Sequence, residues 1–347
     1  MTAGEFWRGR RVLVTGHTGF KGSWLSTWLV QLGADVTGMA LEPYTDPAMF
    51  SLLGLDQHLD SRIADIRDLA AVQAIVAASR PEIIIHMAAQ ALVRESYSTP
   101  VETFNTNVMG TAHVLEAARG ADSVGAVVVV TSDKCYENRE WVWGYRENDA
   151  MGGHDPYSAS KGCAELVTTS YRQSFGDRLP VASARAGNVI GGGDWADDRL
   201  IPDMVRAIEA GRPVEIRNPA AIRPWQHVLE PLSGYMMLAE RVFEDGDRFA
   251  GAWNFGPAIG DTQPVSALVE RLSRNFDALE WNVDTGEHPH EAHFLKLDIS
   301  KAVSELGYRP RVSLETALDW TAEWYQAYFD GQAMLDVTRR QIDAFTG

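Results

Sequence analysis

Two uninterrupted apolar runs, Ile83-Ile84-Ile85 and Val127-Val128-Val129-Val130, constrain the fold of this chain more than any other feature. Neither alternates with polar residues, so neither suits a strand with one wet face. Branched apolar side chains on both faces belong to strands of a parallel sheet covered by helices on each side. Strands are expected at Arg11–Thr15, Asp35–Leu41, Ser61–Asp65, Glu82–His86, Ala126–Thr131 and Val181–Ala184, with helical stretches between them. In Ser23–Leu32, for example, Trp24, Leu25, Trp28, Leu29 and Leu32 recur at helical spacing, and Gly33 can close the helix. This alternation predicts an α/β fold with a doubly wound parallel sheet, whose ligands gather beyond the carboxyl ends of the strands.

The first such end carries Gly16-His17-Thr18-Gly19-Phe20-Lys21-Gly22, a G-x-x-G-x-x-G loop between strand and helix. Glycines there permit a tight turn and let backbone approach a pyrophosphate seated on the helix N-terminus. All seven loop residues are therefore candidates for cofactor binding. The acid that binds an adenine ribose belongs near the end of the second strand, where Glu42 stands in an irregular stretch before Pro43. No arginine adjoins the loop to receive a 2′-phosphate, which favours NAD over NADP. Asp65-Ile66, ending the third strand, suits the adenine edge. The small residues of His86-Met87-Ala88-Ala89-Gln90 let backbone sit close to the same cofactor.

The end of the Val127–Val130 run carries Thr131-Ser132-Asp133-Lys134, and Tyr157-Ser158-Ala159-Ser160-Lys161 follows downstream. Tyr157 and Lys161 share one face of a helix. A free phenol titrates near pKa ~10, and a lysine cation one turn away favours its phenolate. Ser132 is placed to hold the same substrate oxygen, completing a set of groups suited to hydride transfer at an alcohol carbon. Asp133 and Lys134 add an acid and an amine suited to removing water from neighbouring carbons. As a base, Lys134 needs a pKa well below ~10.4; as a cation, it stabilises an enolate instead.

After Ala186 the character changes. Gly191-Gly192-Gly193-Asp194-Trp195 is a flexible turn, and Arg185-Ala186-Gly187-Asn188 and Arg223-Pro224-Trp225-Gln226-His227 form two further clusters. The Arg223 guanidinium suits phosphate oxygens, while Trp225 reads equally as a core anchor. Ala252–Gly256 is expected to return to the main sheet. A net charge of −16 argues against nucleic acid as a partner. Neither a membrane-spanning stretch nor a signal-peptide pattern is evident, and two cysteines, Cys135 and Cys163, suit a reducing cytoplasm.

The glycine loop, the Ser132–Tyr157–Lys161 set and the Arg185/Asn188 region together resemble the extended short-chain dehydrogenase/reductase family of nucleotide-sugar epimerases and dehydratases, over nearly the whole chain. Within it, residues 16–22, 131–134 and Arg-Pro-Trp-Gln-His-Val-Leu-Glu-Pro-Leu at 223–232 resemble the dehydratases that act on CDP-glucose. More familiar sugar-nucleotide 4,6-dehydratases carry Asp-Glu where this chain carries Asp133-Lys134.

The resemblance implies a Rossmann-type NAD-binding domain over residues 1–187, rejoined by about 226–256. It also implies a smaller mixed α/β lobe over 188–347, mainly for a nucleotide sugar. The implied reaction is an NAD-dependent conversion of CDP-D-glucose to CDP-4-keto-6-deoxy-D-glucose and water, supplying deoxysugar for surface polysaccharide. Ser132, Asp133, Lys134, Tyr157 and Lys161 carry the chemistry, with Tyr157 and Lys161 also contacting the cofactor; Arg185, Asn188, Arg199, Arg223, Trp225 and His227 bind substrate; no metal is called for. A cytoplasmic homodimer or homotetramer is expected. Other nucleotide-sugar dehydratases remain open. A 4-epimerase needs no acid–amine pair beside Ser132, and a non-catalytic NAD sensor needs neither Tyr157 nor Lys161.

Overall fold

In the computed structural model, which describes residues 3–257, 262–276, 280–284, 286 and 295–347, the two apolar runs lie side by side. Ile83 pairs with Ala126, Ile84 with Val127 and Ile85 with Val128, all parallel and all fully buried. Ile83, Ile85 and Val128 enter the core on one face of the sheet, and Ile84, Val127 and Val129 the core on the other. Period-two exposure of side chains to two apolar layers is what removed the polar positions from these runs.

The strands are β1 Arg11–Thr15, β2 Asp35–Ala40, β3 Asp60–Ile63, β4 Ile83–His86, β5 Ala126–Val130, β6 Val181–Ala186, β7 Val189–Ile190, β8 Val214–Ile216, β9 Ile222–Pro224, β10 Gln226–His227, β11 Ala252–Phe255, β12 Thr262–Pro264 and β13 Trp281–Val283. Seven of them form one parallel sheet in the order β11-β6-β5-β4-β1-β2-β3. The chain winds outward from β1 to β3, then restarts at β4 on the other side. The loops after β1 and β4 therefore diverge, and a crevice opens between them at the carboxyl edge.

Six helices matter for the site: α1 Phe20–Gln31, α2 Pro156–Phe175, α3 Leu200–Glu209, α4 Leu229–Glu244, α5 Leu314–Phe329 and α6 Met334–Thr346. Outside the sheet, β8 pairs with β13, β9 with β12, and β7 with β10, building a small lobe with α3 over the crevice. The second half does not stay in that lobe. β11 joins the sheet edge beside β6, with Ala252 opposite Ser183. The last helix, α6, packs on α1, where Phe345 meets Trp28 edge-on at 5.5 Å. No described helix is long and apolar enough to cross a membrane.

Candidate active site

At the β1 and β4 ends the site is built from backbone. Gly16 turns the chain at φ 81°, and a Cβ added there would meet the Ala88 nitrogen at 2.8 Å. Gly22 has no room for a Cβ against the Gly16 carbonyl. Gly19 starts α1 with no side-chain cap, so the first-turn N–H groups of this 12-residue helix are left without one. Such groups, with the helix dipole behind them, seat an anion. A dinucleotide pyrophosphate fits this cradle. Thr15 Oγ1 accepts from the Met87 and Ala88 N–H groups, each at 3.1 Å. Asn107 exchanges two bonds with the Gln90 backbone, each 2.9 Å. Ala88-Ala89-Gln90 is thus a fixed turn facing the glycine loop.

Not every residue assigned to the cofactor turns that way. The His17 ring is fully buried against Gly38, where only a residue without Cβ leaves space, and its Nε2 lies 2.7 Å from Ser61 Oγ. Burial pulls its pKa down to about 4, so it is a neutral core group rather than a cofactor contact. The Ile66 side chain is likewise buried, beneath Gly110. Thr18 donates to the Leu41 carbonyl at 2.9 Å, tying the loop to the end of β2. Asp65 is engaged by Arg67, whose guanidinium reaches it at 2.6 Å. Glu42 is exposed just past the end of β2. Phe20 and Lys21 line the neighbouring catalytic cleft.

That cleft centres on the end of β5. Ser132 caps the short turn Asp133–Cys135, accepting from Lys134 N–H at 3.2 Å and donating to Asp133 Oδ1 at 3.0 Å. Tyr157 lines the same cleft as Ser132. It is fixed in the first turn of α2 by Pro156 and by the Asp155 cap, which accepts from Ser158 N–H at 2.8 Å. Lys161 follows one turn later and donates to the Val130 carbonyl at 3.3 Å.

Burial dominates the electrostatics here. It pushes the Tyr157 phenol up to about 12, with the Ser132 hydroxyl pulling back, and lowers Lys161 to about 8, with Glu165 pulling back. It raises the Asp133 carboxyl against the pull of Lys134, Ser132, Arg223 and Lys21. Lys21 falls to about 8, first by burial and then by Arg199, while Asp133 opposes.

The cleft encloses about 640 Å³, of the size that takes a small-molecule ligand. Asn188, Arg199, Arg223 and Trp225 line it from the second lobe. Arg199 is paired with Asp194 at 2.9 Å. Among the described residues the Trp225 indole N–H has no hydrogen-bond partner. Two expected substrate residues lie elsewhere. Arg185 is 3% exposed and bound to Glu165 at 2.6 Å and to the Tyr136 hydroxyl at 2.6 Å, behind β5. His227 is fully buried between the edges of Trp24 and Trp320, neutral with a pKa near 3 because of burial. Both belong to the core because their partners come from remote segments.

Residues not anticipated in the cleft are Leu92 and Arg94 from the β4 loop and Glu215 to Asn218 at β8. Glu165, four residues after Lys161, was open to detection by helical spacing alone.

Residues 13–321 match the family model described as GDP-mannose 4,6 dehydratase. The CDP-glucose 4,6-dehydratase of Salmonella typhimurium strain LT2 is 52% identical to this chain, over 98% of it and 97% of its own length. Among solved structures, a dTDP-glucose 4,6-dehydratase of Streptomyces venezuelae with NAD bound superposes at TM-score 0.77 and 27% identity, covering 94% of this chain and 99% of that one. The epimerase Mth375 of Methanothermobacter thermautotrophicus shares the fold at TM-score 0.81 and 23% identity, covering 95% of this chain and 96% of that one.

Proposed function

The chain belongs to the GDP-mannose 4,6-dehydratase family, and on that premise we propose how its residues divide the conversion of CDP-D-glucose to CDP-4-keto-6-deoxy-D-glucose and water. The activity is that of an NAD-dependent CDP-glucose 4,6-dehydratase: oxidation at C4, elimination across C5 and C6, and reduction at C6. The glycine cradle and the 88–90 turn would hold NAD, which when bound would supply the hydride acceptor at C4 and the hydride donor at C6.

Tyr157 takes the 4-hydroxyl proton, and the Lys161 cation lowers the cost of the phenolate. The 4-ketone then acidifies C5, whose proton passes to Lys134. The 6-hydroxyl leaves as water with the proton of Asp133, a carboxyl that burial has made easier to protonate. Ser132, bonded to Asp133 in the cleft that Tyr157 also lines, lets the proton gained by Tyr157 replace the one lost by Asp133. The C5 proton is returned as C6 is reduced, so the balance closes on one water. Arg199 and Arg223 suit the diphosphate, and Asn188 and the Trp225 N–H offer further contacts to the nucleotide sugar.

The observation that carries this reading is the buried Asp133 beside Lys134, bonded to Ser132 in the cleft that holds Tyr157. Incubation in D2O with CDP-glucose, beside dTDP-, GDP- and UDP-sugars, tests it by NMR of the products. Loss of water with deuterium at C5 from CDP-glucose is expected. An epimerised sugar that keeps its 6-hydroxyl would remove the elimination step, and with it the roles of Asp133 and Lys134.

The same proposal includes a homodimer or homotetramer. Val101 and Leu166, 81% and 60% exposed, sit on two helices that pack together and are the apolar side chains a partner copy would cover. Sedimentation equilibrium would return a monomer mass if this is wrong. A cytoplasmic setting is supported by two cysteines left as free thiols.

A further inference from the structure

Lys161 must stay a cation to favour the Tyr157 phenolate, yet it is 6% exposed and bonds through Nζ to a neutral carbonyl. One turn along α2, on the same face, lies Glu165, 2% exposed. Its carboxylate is fully engaged. Oε1 accepts from the Thr131 hydroxyl at 2.5 Å, and Oε2 accepts from Ser183 Oγ at 2.7 Å and from the Arg185 guanidinium at 2.6 Å. Burial pushes this carboxyl up, but Arg185, Thr131 and Ser183 outweigh it and keep Glu165 ionised. Thr131 directly precedes Ser132. Glu165 therefore clamps the strand end carrying Ser132 to the helix carrying Tyr157 and Lys161.

We propose that Glu165 is a positioning residue of the reaction, holding Lys161 as a cation while it fixes the end of β5 against α2. The inference rests on the roles given above to Tyr157 and Lys161. The other groups facing Lys161 do not substitute for it. Tyr157 on α2 is the group whose phenolate Lys161 must favour, with burial opposing it, and Cys135 after β5 is kept neutral by burial. His86 of β4 is neutral, lowered to about 3 by burial and then by Lys161 itself. Lys21 of α1 is a like charge. Glu165 is the anion among them, and the low polarity of the surroundings strengthens its effect.

The chain has five lysines, Lys21, Lys134, Lys161, Lys296 and Lys301, so each can be followed by NMR of protein labelled at the lysine side-chain nitrogen. Lys161→Met assigns the Lys161 signal. In Glu165→Gln, which removes the charge at constant size, the Lys161 midpoint is expected to fall by about one pH unit, a tenfold loss of proton affinity. The alkaline limb of kcat should move to lower pH with it while KM holds. Glu165→Gln leaves Arg185 buried without a counter-charge, so Glu165→Gln/Arg185→Met is made in parallel, with the same direction expected. Thr131→Val removes a bond but no charge, and should leave the midpoint in place.

An unmoved Lys161 signal in either charge-removing variant that folds overturns the proposal. So does a neutral Lys161 at pH 7 in the unmutated protein. If the midpoint moves and turnover ignores it, the failure lies instead with the roles given to Tyr157 and Lys161.

Discussion

The two halves of the crevice solve different problems with different materials. At the β1 and β4 ends, Gly16, Gly19, Gly22, Ala88 and Ala89 provide shape, and the one histidine of the loop is a neutral filler. At the β5 end, Ser132, Asp133, Tyr157, Lys161, Glu165 and Arg185 are all at most 8% exposed and most are ionisable. A cofactor regenerated within each turnover needs a seat that stays the same, which backbone supplies. Proton transfer needs groups whose charge can change, and burial brings Lys161 down to about 8 and raises the Asp133 carboxyl. Lysine usage follows this division. Of 31 basic residues only five are lysines, and Lys21, Lys134 and Lys161 cluster at the catalytic end. Arginine, which keeps its proton, supplies the fixed charges, as Arg185 does against Glu165.

Removing one oxygen at the charged end should cost most. Tyr157→Phe is expected to lower kcat by roughly 10²–10⁴-fold, the range for a positioned acid–base group, with NAD affinity nearly unchanged. A matching loss of NAD affinity, read by fluorescence titration, would show the two halves to be one site. Next comes Arg185→Met, which strands Glu165 as a buried anion. Urea unfolding should report a loss of about 3–5 kcal/mol, with KM for the sugar nucleotide held. The reverse pattern, a raised KM at full stability, would return Arg185 to the substrate.

The sheet was legible because two-sided burial writes itself into consecutive residues, as in Ile83–Ile85. The glycine loop and the Tyr157/Lys161 spacing were legible for the same reason: each is a local pattern with a local cause. What failed was the direction of single side chains. His17 turns inward because Gly38, on the next strand, leaves a hole for it. His227 is held by Trp24 and Trp320, far away on both sides in sequence. Arg185 was expected to bind substrate, but β6 brings it beside Glu165 on α2. In each case the deciding neighbour is supplied by tertiary packing, which motif reading does not contain.

At the shape-built end the expected effects are smaller. In Gly22→Ala the new methyl meets the Gly16 carbonyl, which is backbone and cannot swing aside. The turn has to open, at a cost of about 1–3 kcal/mol, typical of overpacking. Thermal unfolding with and without NAD should show a lower midpoint and a smaller shift on adding NAD, while the pH profile of kcat keeps its shape. A changed pH profile would mean that the glycine end also governs charge.

The smallest effect is expected from Asp65→Asn, and it decides what the exposed acid after β3 is for. The Asp65 side chain is 29% exposed and its Arg67 partner 31%, so solvent screens the pair and it is worth only about 0.2–1 kcal/mol. Hydrogen bonds from Arg67 hold the Asp65 carboxyl below its ordinary range. A carboxyl lowered in the folded state stabilises above its unfolded pKa and loses that contribution as pH falls through the folded value. The Asn variant should therefore be slightly less stable at neutral pH, and the gap should close on acidification below about pH 4. If Asp65 only braces its own turn, NAD affinity changes less than about threefold, the equivalent of under 1 kcal/mol. A tenfold or larger loss would mean that a side chain, and not backbone alone, reads the adenine half of the cofactor. The division between a shape-built and a charge-built end would then hold only for the pyrophosphate seat.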